Sequence, residues 1–305
     1  MSIQEAVQIL KAGGLVAMPT ETVYGLAADA QNPAALRKIF LTKQRPSDHP
    51  LIVHLADASQ LDAWAREISP LAWKLAEVFW PGPLTLILKK APGVSDLITG
   101  GQDTIGVRVP HHPVAQALLS EFGSGLAAPS ANRFGRISPT TAQAVWEELG
   151  DGVDLILEGG QCAVGVESTI VDVSGDQPAI LRPGMITAEQ IARVAGCPIA
   201  VKKQNAPRVS GSHEQHYAPV TVTRLMNVKN LPLPVGRIAW VGFSERAGFA
   251  GSVMMKADPL IYAHDLYQVL RELDKQGFEQ IWIEDVPEGA EWDAIRDRLV
   301  RACVR

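Results

Sequence analysis

An open, twisted, mixed α/β sheet domain followed by a smaller Rossmann-like α/β domain is the architecture this sequence predicts. Three observations predict it. Through residues 1–201, short runs rich in Val, Ile and Leu, bounded by Gly or Pro, are interleaved with stretches of helical periodicity. Their order is mixed rather than strictly alternating, which favours some antiparallel pairing over a regular parallel wind. Residues 202–235 then turn polar and carry Pro and Gly, and a βα pattern resumes over 236–305.

The strands expected in the first domain are LVAMP, VYGLAADA, PLIVHL, LTLILKK, TIGVRVP, GLAAPSA, DLILEGG, STIVDVS and AILRPG. Helices are expected over IQEAVQILKAG, NPAALRKIFLTK, SPLAWKLAEVFW, HPVAQALLSEF, SPTTAQAVWEEL and TAEQIARVAG. The third is the best marked: Ser69 can cap, Pro70 occupies the first turn, and apolar residues recur every three to four positions. After the linker come strand RIAWVGF, strand SVMMKA, helix DPLIYAHDLYQVLRELDKQG, strand QIWIEDV and helix AEWDAIRDRLVRAC, with no GxGxxG and no phosphate loop.

The chain has 305 residues, 47% hydrophobic and 20% charged, with a formal net charge of -5. No global basic field calls for nucleic acid. No apolar run reaches the roughly 20 residues of a membrane span, and the N-terminus has no signal-peptide pattern. Cys162, Cys197 and Cys303 are far apart and make neither a CxxC pair nor a disulfide framework, so the expected compartment is a reducing cytoplasm.

Three polar clusters interrupt the apolar strands. In TKQRPSDHPLIVH, Lys43 and Arg45 end a helix, where they either complement its dipole or clamp an anion. His49 and His54 are five apart, not at the helical metal-pair spacing. In AAPSANRFGRISPT, Ser130, Asn132, Arg133, Arg136 and Ser138 follow a strand end, with Ser138 and Pro139 as cap and first-turn residue of the next helix. Ligands of open sheets bind beyond such strand ends. In GVESTIVDV and AILRPG, Arg182 requires either a salt bridge, with Glu167 in reach, or a phosphate or carboxylate. Arg108 alternates with Val107 and Val109 inside a strand. Together Lys43, Arg45, Arg108 and Arg182 point to a cavity that gathers negative charge; no Walker loop or Cys/His cluster is present, which fits a polyphosphate with loosely held Mg2+.

Taken together and in order, PTETVYGLAADA, KQRPSDHPLIVHL, WPGPLTLIL, VRVP, APSAN, GVESTIVDV and LRPG resemble the YrdC-like threonylcarbamoyl-AMP synthase family over about 180 residues; HYAP and the second domain resemble its long form. The resemblance implies an L-threonylcarbamoyladenylate synthase that takes ATP, L-threonine and bicarbonate or CO2 and serves tRNA threonylcarbamoyladenosine modification. It implies a basic and polar quartet of Lys43, Arg45, Ser130 and Asn132. It implies nucleotide contacts from Arg45, His49, Thr104, Ser130, Ser138, Arg182 and Tyr217, and threonine contacts from Thr22, His54, Arg108, Ala128 and Ser168. Metal ligands are not indicated; tRNA or a downstream threonylcarbamoyl-transferase protein are further partners, and a membrane is not. The linker, with SGS at 210–212 ahead of His213, His216 and Tyr217, is read as an active-site lid. Two other readings stay open: an RNA-binding module without catalysis, and another carbamoyl or adenylyl transferase on the same scaffold.

Overall fold

A computed structural model describes residues 2–201, 206–211 and 216–303. The first domain holds β1 (Val16–Met18), β2 (Gly25–Asp29), β3 (Ile52–His54), β4 (Ala65–Arg66), β5 (Leu84–Lys90), β6 (Thr104–Arg108), β7 (Leu126–Ala127), β8 (Leu155–Ile156), β9 (Thr169–Asp172), β10 (Ala179–Arg182) and β11 (Ala200–Val201). They form one sheet in the order β11-β10-β9-β5-β6-β3-β7-β2-β1-β8, with β4 on β5. Pairing is mixed, as expected: β5–β6 and β9–β10 run antiparallel, β3–β6 and β5–β9 parallel.

Local chemistry sets the helix ends near the site. Asn32 caps the helix Pro33–Lys43, with Pro33 in its first turn. The chain leaves that helix through Gln44, whose left-handed backbone (φ 52) turns Arg45 away from the helix axis. Ser69 caps Pro70–Phe79 as the sequence predicts. The cap of Ala142–Leu149 differs: Thr141, not Ser138, accepts the Ala144 amide, so the helix starts later and Ser138 is left free for another partner.

The second domain is a four-stranded, all-parallel sheet in the order β12-β15-β13-β14, built from β12 (Val222–Met226), β13 (Ile238–Gly242), β14 (Gly251–Met254) and β15 (Gln280–Glu284). Strand β12 falls inside the stretch expected as linker, because VTRLM alternates polar and apolar residues too briefly to stand out. Helices Pro259–Asp274 and Asp293–Ala302 complete the domain.

The two domains share a core. Val23, Ile137 and Val166 of the first pack in one cluster with Tyr262, Leu266, Tyr267 and Leu299 of the second. Around it, Arg271 donates to Glu148 (2.8 Å) and to the Ile137 carbonyl (2.9 Å), and Lys275 pairs with Glu147 at 2.6 Å. At Gly165 (φ +84) a Cβ would lie 2.4 Å from the Ala263 carbonyl, so the glycine lets the two backbones meet. Among the described residues no helix is long and apolar enough to cross a membrane.

Candidate active site

The strand period of two builds the floor of the site. Ile52 and His54 pair in register with Gly106 and Arg108 on the parallel neighbour, so all four face one side of the sheet. Thr85, Ile170 and Ser168 continue that face. Arg182 joins it through an irregularity: the β9–β10 register shifts between Ile180 and Arg182, which brings the guanidinium to the cavity side. The cavity therefore lies across the face of the strands, not beyond their ends where ligands of open α/β sheets are expected. The roof is the linker. Ser210 Oγ donates to the Pro50 carbonyl (2.8 Å), Arg182 Nη1 holds the Ser210 carbonyl (2.9 Å), and Arg208 donates to Gly100 (2.9 Å).

This cavity is lined by Arg45, His54, Arg108, Ala128, Ser130, Ser168, Arg182 and Tyr217 among the predicted residues. Thr104 lies further along the same face, in a smaller adjoining cavity beside Gly106 and Arg208. Thr22, Lys43, Asn132 and Ser138 sit behind the lining, all almost wholly buried. His49 lies outside the cavity, against the Phe134 ring at 5.1 Å and 3.8 Å from Asp48. Ser212 and His213 of the expected lid hinge fall outside the described residues.

Each buried cation has a defined set of partners. Lys43 Nζ donates to the carbonyls of Ser130 and Asn132, pinning the APSAN loop to the end of its helix. Burial and the neighbouring Arg45 charge hold its pKa well below the usual lysine range, against a smaller opposing pull from Glu148. Arg45 Nη2 donates to Pro50 (2.9 Å) and Ser210 Oγ (3.3 Å), while its Nε has no hydrogen-bond partner. Burial lowers its pKa to about 10, with Tyr217 opposing and Arg182 adding to the fall. Arg182 donates twice to the Ser168 carbonyl (3.1 and 2.9 Å) and once to Ser168 Oγ (3.1 Å); burial lowers its pKa too.

Arg108 is held from three sides. Its Nε donates to Gly82 (3.2 Å) and its Nη1 to Thr22 Oγ1 (2.9 Å), and Nη2 lies 2.7 Å from Glu21 Oε1. The last contact has ion-pair distance but not hydrogen-bond geometry. The hydroxyl order follows from proton counting: Thr20 gives its proton to the Val23 carbonyl (2.6 Å), so Thr22 donates to Thr20 (2.9 Å) and accepts from Arg108. Thr22 thus meets the cavity through Arg108.

His54 is 4% exposed and its Nδ1 has no hydrogen-bond partner. Burial and the adjacent Arg108 charge lower its pKa to about 3, so the ring is neutral at pH 7. Between about 6.5 and 3 the unfolded chain binds a proton that the folded one refuses, so stability falls as pH falls through that window. In urea unfolding, the loss from pH 7 to 4.5 should be about 2–3 kcal/mol greater in the parent than in His54→Gln. Equal losses would show that His54 is not buried neutral.

Two residues at the site, both from the second domain, were not singled out from sequence: Tyr267 and Arg298. Of the two alternatives for Arg182, the bridge to Glu167 is not formed. Glu167 accepts instead from Arg298 Nε (2.7 Å), Tyr267 Oη (3.0 Å) and Ser138 Oγ (2.6 Å). Burial raises the Glu167 pKa, but the charges of Arg298 and Arg182 outweigh it and hold the carboxyl below its ordinary range. One signal for Arg298 was present: it falls on the helix stripe with Ile295, Leu299 and Ala302, where a solvated charge does not belong. Tyr24, also buried, donates to the Gly160 carbonyl (3.0 Å) and accepts from the Gly159 amide (3.1 Å), which is a packing role.

A mixed sheet with a cation-rich cavity under a linker, sharing a core with a second α/β domain, defines a two-domain protein built to accept an anion. A family model described as telomere recombination (Sua5, YciO and YrdC) matches residues 8–184, and one described as the threonylcarbamoyl-AMP synthase C-terminal domain matches 186–303. The threonylcarbamoyl-AMP synthase of Pyrococcus abyssi is 37% identical, covering 98% of this chain and 93% of that protein. The Bacillus subtilis protein of that name is 39% identical, covering 98% and 92%. The crystal structure of P. abyssi Sua5 complexed with L-threonine superposes with a TM-score of 0.90 at 35% identity, covering 99% of this chain and 95% of that one. The chain belongs to the threonylcarbamoyl-AMP synthase family.

Proposed function

We propose that the protein joins L-threonine, bicarbonate or CO2 and ATP into L-threonylcarbamoyl-AMP, releasing pyrophosphate. One observation carries the reading beyond family membership. Arg45 and Arg182 are buried on one cavity, hydrogen-bonded only to neutral hydroxyl and carbonyl groups, with no carboxylate in ion-pair contact among the described residues. Buried cations without counter-charge are costly. An anionic substrate offsets that cost.

Threonine's neutral amine attacks CO2 and loses a proton, giving a carbamate. A carbamate oxygen then attacks the α-phosphorus of ATP, and the bond to pyrophosphate breaks. No protein nucleophile is needed; the residues place two anions side by side and stabilise the charge on the phosphorus. Arg108, held by Gly82 and Thr22, takes the threonine carboxylate, beside neutral His54, Ser168 and the Ala128 backbone. Arg45, Arg182, Lys43, Ser130 and Asn132 serve the phosphates, Thr104 the nucleoside end, and Tyr217 with Ser210 closes the roof. Ser138 acts through Glu167, because its hydroxyl proton is committed there. Magnesium bound to ATP would supply charge neutralisation at the phosphates and would be held mainly by them; Glu167, in the lining, is already occupied by three donors. The labile mixed anhydride is consumed by transfer of the threonylcarbamoyl group to adenosine in tRNA, directly or through a transferase protein.

Pyrophosphate release should require ATP, magnesium, threonine and bicarbonate together, and Arg45→Ala should lower it by roughly 10²-fold. Release indifferent to threonine would return the RNA-binding and other-transferase readings to the front.

A further inference from the structure

We propose that Arg298, supplied by the C-terminal domain, is a positioning residue for the threonine end of the active site, acting through the Glu167–Ser168 peptide. This rests on the synthase reading above. Arg298 is fully buried. Its fork reaches both chain segments that frame the site: Nε meets Glu167 Oε2 (2.7 Å), Nη2 meets the Glu167 carbonyl (3.2 Å), and Nη1 meets the Pro183 carbonyl (3.0 Å). Asp297 Oδ2 accepts from the same Nη1 at 2.8 Å.

Those two segments leave each other no slack. A Cβ on Gly184 would lie 2.3 Å from the Thr169 amide, so the Pro183–Gly184 turn rests directly on the Ser168–Thr169 backbone. Between them Arg182 grips the Ser168 carbonyl and hydroxyl, and Thr85 meets the same hydroxyl at 2.8 Å. Ser168 is thus held by Arg182 from the catalytic domain, while the residue before it is held by Arg298 from the other domain. Tyr267 fixes the Glu167 carboxylate from a second direction at 3.0 Å. The guanidinium of Arg298 also lies 5.2 Å from the Tyr217 ring centroid, which ties the same hold to the roof.

Packing alone does not account for this arrangement. A buried ion pair gives little net stability over apolar residues of similar volume. What a planar fork on four acceptors supplies is fixed geometry, and a lysine reproduces the charge without the fork.

Arg298→Lys and Tyr267→Phe test the idea, with Tm and with KM for threonine and ATP measured by pyrophosphate release per folded enzyme. L-threonine affinity is read independently by calorimetry. Arg298→Lys should raise the threonine KM and Kd about 10-fold while the ATP KM moves less than about 3-fold. Tyr267→Phe, which keeps the ring, should raise the threonine constants about 3-fold. Parent threonine constants in both folded variants, whatever the Tm, would make Arg298 a structural residue only and overturn the proposal. So would equal rises for threonine and ATP. If Arg298→Lys does not fold, Tyr267→Phe decides alone. Failure of the parent itself to need threonine would sink the synthase reading instead, which keeps the two failures distinct.

Discussion

Arg108→Met should lower kcat/KM for threonine by roughly 10³-fold and destabilise the fold by about 3–5 kcal/mol. The two effects have different origins. The catalytic loss comes from removing a guanidinium that Gly82 and Thr22 hold in one orientation, leaving the threonine carboxylate without its charge-assisted donors. The stability loss comes from Glu21, 6% exposed, whose Oε1 lies 2.7 Å from Arg108. Without the arginine that carboxylate keeps, among the described residues, only the His111 amide at 3.0 Å. Pairing the change with Glu21→Gln removes the stranded charge. The double variant should recover most of the stability and none of the activity, read by urea unfolding and pyrophosphate release. Activity returning with stability would mean that Arg108 holds the fold and not the substrate.

That contrast also marks what was legible in the sequence. Arg108 and Arg182 stood out because a charge inside an apolar run needs a partner, and the family motifs placed both at the site. Their partners could not be read. Of the two alternatives open for Arg182, the Glu167 bridge gives way because the competing cation, Arg298, lies 131 residues beyond Glu167, in another domain. Sheet strands of five or more residues, such as Leu84–Lys90 and Thr104–Arg108, declared themselves by their Val, Ile and Leu content. Two-residue strands such as Ala65–Arg66 and Ala200–Val201 exist because neighbours template them, and no local signal carries them. The β10 irregularity is of the same kind. It decides which side Arg182 faces, yet AILRPG reads equally well in either register.

Lys43 should set the alkaline limit of ATP use. Its ammonium is 1% exposed, and two of its three protons go to the Ser130 and Asn132 carbonyls. Both bonds survive deprotonation, because a neutral amine still offers two N–H groups. Loss of the proton therefore leaves the APSAN loop in place and removes the charge together with the third donor. Since burial and Arg45 hold the pKa well below the ordinary lysine value, kcat/KM for ATP should fall with rising pH below the range where a free lysine titrates. Bound ATP brings negative charge and should move the same limb to higher pH in kcat. Stability must run the other way. Between the depressed folded pKa and the unfolded value of about 10.4, the unfolded chain binds more protons, so folding is favoured as pH rises. Lys43→Met should abolish the limb and lower kcat by roughly 10²–10³-fold. A limb that persists in that variant would belong to another group. A limb accompanied by falling stability in the parent would belong to unfolding, and would remove Lys43 from the phosphate site.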